Sequence, residues 1–430
     1  MKWLPKLKGT IMFDFDEKLL SLSKKALEKA EGEFKTIDEI TEFNQQKMLK
    51  AFINNKVSES MFAESTGYGY SDRGREVIDL VFAEAVGAED AVLRHNFTCG
   101  THTLTVALFG VLRPGDTMLC VSGKPYDTIQ PVIGISGNSD NSGSLKDFSI
   151  NYAQVDLLDN GRLDFDSIEK EVKRIQPAMV YIQRSRGYSL RPSISVDEIE
   201  RVVKITKANS KAVVMVDNCY GEFVEKREPT EVGADLMAGS MIKNPGGGIA
   251  KTGGYIAGRH DLVEKCCCRL TTPGLGREVG ATLGHSRELF MGIFSAPHVV
   301  GEALKTAAFT SALFSLLGFE TTPESGESRH DIIQAVKLGN PENLIAFCKG
   351  LQMGAPVDSF AVPEPWDMPG YDSKVIMSAG AFTLGSSIEL SADAPLREPY
   401  AVWLQGGLNF HSSKLAVMSA ANEVMKEMNK

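Results

Sequence analysis

A chain of 430 residues with 43% hydrophobic and 23% charged side chains has ample material for a core and is too long for one ordinary domain. Its formal net charge of −9 argues against nucleic acid or an anionic membrane surface as the main partner. The 7 cysteines, three of them consecutive (Cys266, Cys267 and Cys268), make a poor disulfide framework. With no apolar block in residues 1–8 and no run approaching the roughly 18 apolar residues of a membrane span, the expectation is a cytoplasmic protein with no membrane partner. No C-x-x-C or H-E-x-x-H spacing occurs, and no metal is expected.

In chain order, residues from about 17 to 54 carry Leu, Ile, Phe and Ala at helical spacing among many charges. They predict two helices, forming an N-terminal arm over residues 1–65. From Gly67 onward short apolar runs alternate with helical patterns. Residues 91–93, 117–121, 178–182 and 212–216 read as buried strands, and 101–112, 166–175 and 196–208 as the helices between them. That alternation predicts an α/β fold with a mostly parallel sheet covered on both faces, occupying residues 66–300. Residues 253–258 read as a further, antiparallel strand and 286–317 as a long helix. A Pro/Gly/Ser-rich stretch follows at 321–328. The remainder, 301–430, is an α+β pattern ending in a helix over 411–428 and predicts a second, smaller domain.

The chemistry concentrates at two strand ends. Asp217 closes the run Val213-Val214-Met215-Val216 and is followed by Asn218-Cys219-Tyr220-Gly221. Lys243 lies in Gly239-Ser240-Met241-Ile242-Lys243-Asn244-Pro245, just before Gly246-Gly247-Gly248. A lysine that can attach a carbonyl cofactor, with a carboxylate that can keep a pyridine nitrogen protonated, is the pair that pyridoxal phosphate (PLP) chemistry needs. Asn96-Phe97-Thr98-Cys99-Gly100-Thr101-His102 precedes a helix whose N-terminus favours an anion, although Thr98 or Thr101 would serve equally as an ordinary cap. Tyr126, in Gly123-Lys124-Pro125-Tyr126-Asp127, is an aromatic able to cover a cofactor ring. Residues 246–252 resemble a phosphate-binding P-loop, but Ala250 stands where the motif requires glycine.

Together these segments resemble the fold-type I PLP enzymes of cysteine and methionine metabolism, most closely the methionine γ-lyase-like branch known as aluminium resistance proteins. The resemblance runs from about Tyr68 to Leu408. It is carried by residues 216–222, 239–254, Gln183-Arg184-Ser185-Arg186-Gly187-Tyr188, and Arg397-Glu398-Pro399-Tyr400 with Leu404-Gln405-Gly406-Gly407-Leu408. It implies that Lys243 attaches the cofactor, Asp217 pairs with its ring nitrogen, and Gly100, Thr101 and Ser240 hold its phosphate. Tyr126 would stack on the ring and Arg397 would grip the carboxylate of an amino-acid substrate. Tyr70 and Arg73 would reach the phosphate of a neighbouring subunit, in a homodimer or homotetramer with shared active sites. The implied activity is carbon–sulfur elimination, of the cystathionine β-lyase or methionine γ-lyase kind. Aldol cleavage, transamination or a non-catalytic stress protein are the alternatives. Ile242, where the better-known lyases carry a hydroxyl residue, and residues 183–188, where they carry a Glu/Asn-containing loop, are departures that bear on the substrate.

Overall fold

The computed structural model describes residues 13–136, 142–367 and 373–430. Helix α1 (Glu17–Asn54) starts at Asp16, whose carboxylate accepts from the Leu19 N–H at 2.6 Å. The two helices expected here are one helix of 38 residues. Gly32 does not break it, because a side chain at that position would face open space and glycine costs the helix only about 1 kcal/mol in propensity. A buried stripe of Leu19, Ala26, Ala30, Ile37, Met48 and Ala51 runs its whole length.

The next elements are α2 (Arg73–Ala85), β1 (Asp90–Arg94), α3 (Gly100–Val111), β2 (Thr117–Cys120), α4 (Gln130–Ile133), β3 (Asn151–Gln154) and α5 (Phe165–Ile175). They are followed by β4 (Met179–Gln183), α6 (Val196–Asn209), β5 (Val213–Asp217), β6 (Leu236–Ser240), β7 (Gly254–Gly258) and α7 (His260–Leu270). The seven strands form one sheet in the order β1-β7-β6-β5-β4-β2-β3. Neighbours from β3 to β6 are parallel, while β7 is antiparallel to both β6 and β1. Alternate residues feed two cores, as the period-2 geometry of a strand requires. Val180, Ile182, Val214, Val216, Met237 and Tyr255 face one side, and Met179, Tyr181, Met215, Leu236 and Ala238 the other.

Helix α8 (Ser286–Leu316) runs unbroken across residue 300. Phe290, Ile293, Val300, Leu304 and Ala308 pack into the core of the large sheet, and Phe309, Ala312, Leu313 and Phe314 into a second core. This helix corrects the expectation on membrane spans. It holds an 18-residue window apolar enough to cross a bilayer, and 78% of that window is buried inside the protein. The second core lies under a five-stranded antiparallel sheet built from β8 (Glu320–Thr322), β9 (Gln334–Lys337), β10 (Val375–Ala379), β11 (Ser391–Pro395) and β12 (Ala401–Gln405), in the order β10-β11-β12-β9-β8. Helices α9 (Pro341–Met353) and α10 (Phe410–Met428) complete it.

The parallel strands place the carboxyl ends of β4, β5 and β6 side by side, next to the start of α3. In open α/β sheets that edge is where ligands bind.

Candidate active site

Asp217 is the last residue of β5, opposite Gln183 of β4 and Ala238 of β6. The apolar strand carries its carboxylate into the interior, where it is 7% exposed. It accepts from the Cys219 N–H at 3.1 Å and from the Tyr181 hydroxyl at 3.4 Å. Burial pushes its pKa up, and the Lys243 charge and these hydrogen bonds oppose that only in part.

Lys243 follows β6, and its Nζ sits 4.1 Å from the centre of the Tyr220 ring. Burial alone would lower its pKa, but Cys219, Tyr220, Asp217 and Glu222 outweigh it and raise the group above the usual lysine range. The chain can turn after Lys243 only because residue 246 is glycine, since a Cβ there would lie 1.7 Å from the Met241 carbonyl oxygen. Tyr220 is held at φ 72°, an uncommon conformation for an aromatic residue. Its hydroxyl meets that of Ser387 at 3.1 Å. Beneath it the fully buried Arg184 donates to Asn218 Oδ1 and the Gly221 carbonyl, each at 2.8 Å, and pairs with Glu225 at 2.6 Å. Arg184 also faces the buried Glu228 at 3.8 Å, and leaving so buried a guanidinium unpaired would cost about 3–5 kcal/mol.

The floor of the site is the N-terminus of α3. A Cβ on Gly100 would lie 3.3 Å from Ser240 Cβ, 3.7 Å from Cys219 Sγ and 4.0 Å from Lys243 Nζ, so these groups converge on one point. The Ser240 hydroxyl is buried there without a hydrogen-bond partner among the described residues. An orphaned hydroxyl beside a helix N-terminus suits an anionic group such as a phosphate monoester. Thr101 lies at the same point, but its hydroxyl is shared with Thr128 at 2.8 Å.

Asp217, Lys243, Cys219 and Tyr220 line an inner cavity of about 70 Å³ together with Tyr126, Gln183 and Tyr188. The Tyr126 N–H donates to Gln183 Oε1 at 2.6 Å, and its ring meets Tyr188 edge-on at 6.0 Å. The rest of the lining comes from the five-stranded sheet and the residue before β9: Ile333, Asp393, Trp403 and Gln405. Asp393 accepts from Gln405 Nε2 at 3.0 Å on one oxygen, and the other has no hydrogen-bond partner among the described residues. Burial pushes its pKa up to about 6, against Tyr188, Gln405 and Lys243, which favour the charged form.

An outer cavity of about 310 Å³ adjoins the inner one through Tyr126, Gln183, Gly187 and Tyr188. Arg397 lines this outer cavity and not the inner one. Tyr70, 57% exposed, and the exposed Arg73 line neither cavity of their own chain. Lys251, the nearest rival to Lys243 in the sequence, is at the surface in an ion pair with Glu288. Asp90, His260 and Glu264 stand close enough to share a metal, but the Arg277 guanidinium already bridges the two carboxylates. Cys219, Tyr220, Ile333, Asp393, Trp403 and Gln405 line the inner cavity, and sequence reasoning gave none of them a role. Tyr220 directly follows Asp217-Asn218-Cys219, and that nearness was its available signal.

The family model for methionine gamma-lyase matches residues 19–425. This chain belongs to the methionine gamma-lyase family. Within the reach of that family, it is 47% identical to the Bacillus subtilis protein YnbB over 397 residues, 92% of this chain and 94% of that one. The crystal structure of a carbon-sulfur lyase involved in aluminum resistance from Clostridium novyi NT superposes with a TM-score of 0.91 at 50% identity, covering 95% of this chain and 96% of that one. A Clostridium acetobutylicum protein provisionally named a cystathionine beta-lyase involved in aluminum resistance gives 0.92 at 48% identity, with 95% and 96% covered. At the level of fold alone, a pyridoxal-5'-phosphate-dependent Escherichia coli protein, YhfS, gives 0.62 at 16% identity. The fold is that of the fold-type I enzymes, as the sequence led one to expect.

Proposed function

We propose that the protein is a PLP-dependent carbon–sulfur lyase, which converts a sulfur-containing amino acid and water into a thiol, a 2-oxo acid and ammonia. The observation behind this reading is that Lys243 Nζ lines one cavity with Asp217 and also meets Ser240, whose hydroxyl has no partner among the described residues, at Gly100 at the start of α3. The family membership and the carbon-sulfur lyase relative support it. When bound, the cofactor supplies an electron sink for the pair left at the substrate Cα.

Each residue then has a task. The Gly100 and Thr101 N–H groups and the Ser240 hydroxyl would hold the phosphate. Asp217 would pair with the ring nitrogen and keep it protonated, and that positive charge would restore the ionised form that burial disfavours. Tyr126 would lie against the ring. Lys243 would be the attachment point and the base that removes the proton from the substrate Cα. The Tyr126 hydroxyl returns a proton to the leaving sulfur, and Arg397 binds the substrate carboxylate through two parallel N–H donors. Seven free cysteines suit the reducing cytoplasm that belongs to this reading.

Borohydride reduction of the holoenzyme followed by peptide mapping should place the cofactor on Lys243. A label on Lys251 would sink the assignment. Assays on cysteine, cystathionine, homocysteine and methionine should release a thiol from at least one, and amino transfer without thiol would exclude a lyase.

The same reading includes a homodimer or homotetramer in which Tyr70 and Arg73 complete a second copy's phosphate site. Their exposure away from their own pocket supports it. Mixed dimers of Lys243→Ala and Arg73→Ala chains should regain activity, because one of their two sites carries neither defect. Inactive mixtures would remove the sharing.

A further inference from the structure

We propose that Tyr220 is a positioning residue for Lys243, whose ammonium rests on the face of the Tyr220 ring at the wall of the inner cavity. This rests on the reading of Lys243 as the base and adds to it the side chain that holds the base in place.

The contact gives the first argument. Lys243 Nζ stands over the Tyr220 ring at 4.1 Å from its centre, whereas Lys47 and Lys226 stand over Phe43 at 6.0 and 5.8 Å. The attraction of a cation to a ring face strengthens as the pair leaves water, and these two side chains line the inner cavity together. The acidic groups nearby leave the ring this part. Asp217 is assigned to the cofactor's ring nitrogen. Glu222, fully buried, accepts from the Tyr255 hydroxyl at 2.8 Å, and burial pushes its pKa up to about 8, so it is mostly neutral at pH 7. Burial likewise pushes the Cys219 thiol up, and Asp393, across the cavity on β11, is bonded by Gln405. Among the described residues Lys243 has no ion pair, and the ring is what its ammonium meets.

The backbone gives the second. Tyr220 is held at φ 72°, in the left-handed region that glycine adopts freely and an aromatic residue does not. A bulky side chain kept in such a conformation points to a functional demand at that position. The turn already spends a glycine one residue on, because a Cβ at Gly221 would lie 2.5 Å from Arg184 Nη1. Packing alone would ask at 220 for glycine or any apolar residue. The site has instead a ring whose hydroxyl is engaged by Ser387, from the loop before β11, so that the face is left for the lysine. A base on a flexible four-carbon stem gains from such a seat, since it fixes where the ammonium stands after a proton has been taken.

The test places phenylalanines with one, two or three ring fluorines at position 220. They keep the shape of the ring and withdraw electron density from the face that meets the cation. In the cofactor-free full chain, acylation of Lys243 at pH 9, read by peptide mass spectrometry, should be slow with tyrosine or phenylalanine. It should rise stepwise with fluorination, about 10-fold over the series, as the ammonium form loses its support. Tyr220→Leu should react as fast as the trifluorinated ring. Ser387→Ala, which keeps the ring, should stay within about 2-fold of the parent. In the loaded enzyme the same series should lower kcat and raise the isotope effect of deuterium at the substrate Cα, which a structural role alone would leave unmoved. A flat acylation series would overturn the seat. Tyr220→Phe reacting as fast as Tyr220→Leu would overturn it too, and would give the part to the hydroxyl. A graded acylation series with a constant isotope effect would overturn the ring's part in the reaction. A graded series in a protein that releases no thiol from any sulfur-containing amino acid would sink the lyase reading and leave the seat standing.

Discussion

Asp217 and Ser240 stand at the ends of adjacent strands of one sheet, with Lys243 three residues beyond, while Asp393, Trp403 and Gln405 reach the same pocket from strands of another. On the first wall, spacing is set by strand register: Asp217 faces Ala238, and the strand ends carry the functional groups wherever the sheet goes. On the second wall Asp393 and Trp403 also pair with each other, but their distance from Lys243 depends on how two cores sit together. Trp403 donates its indole N–H to the Ser189 carbonyl at 3.3 Å and packs on Tyr188, with ring centres 5.5 Å apart. A sheet edge suits chemistry that must not vary, and a wall carried by a second core can be altered without disturbing that chemistry.

Substitutions on each wall would sharpen the contrast or break it. Asp217→Asn should retain the cofactor yet lower kcat about 10²-fold for every substrate alike, because an amide cannot hold the ring nitrogen protonated as charge develops. A loss confined to one substrate in steady-state assays would mean that this wall, too, sets specificity. The smaller effect belongs to Asp393. Its folded pKa of about 6 lies above the ordinary 3.8, so the folded state retains a proton that the unfolded chain has lost. The stability tied to it is complete below about pH 4 and is lost as pH rises through about 6. Asp393→Asn should therefore be the more stable protein at pH 7, by on the order of 2 kcal/mol, with the advantage gone at pH 4. Urea unfolding at the two pH values measures it, and an advantage equal at both would show that the carboxyl is not held protonated.

The sequence made one of these walls readable and hid the other. Asp217 and Lys243 could be found because each closes or follows an apolar run, so a local pattern reports the strand end. Gly100 and Ser240 were reachable for the same reason. Gln405 lies in the stretch 404–408 that carries the resemblance, with Trp403 beside it and Asp393 four residues before Arg397, but no local pattern says that they face Lys243, and only the meeting of two cores makes them part of the pocket. Arg397 was identified by resemblance, and its place on the outer rather than the inner cavity follows from the same meeting. In the fold, β3 escaped notice because Asn151-Tyr152-Ala153-Gln154 is a half-exposed edge strand without an apolar run. The long α1 was divided in expectation since nothing in the local spacing reports that α8 supports it along its length.

Helix α8 has a further consequence for movement. The chain passes from the first core to the second inside a helix, between Ala308 and Phe309, and not through a loop. A loop would let the second wall swing about a few free dihedrals. A helix whose backbone bonds are closed and whose two ends are each anchored in a different core admits only bending or sliding of packed surfaces. Adjustments of the wall formed by Asp393, Trp403 and Gln405 are then a matter of shear, small in amplitude and shared over many side chains.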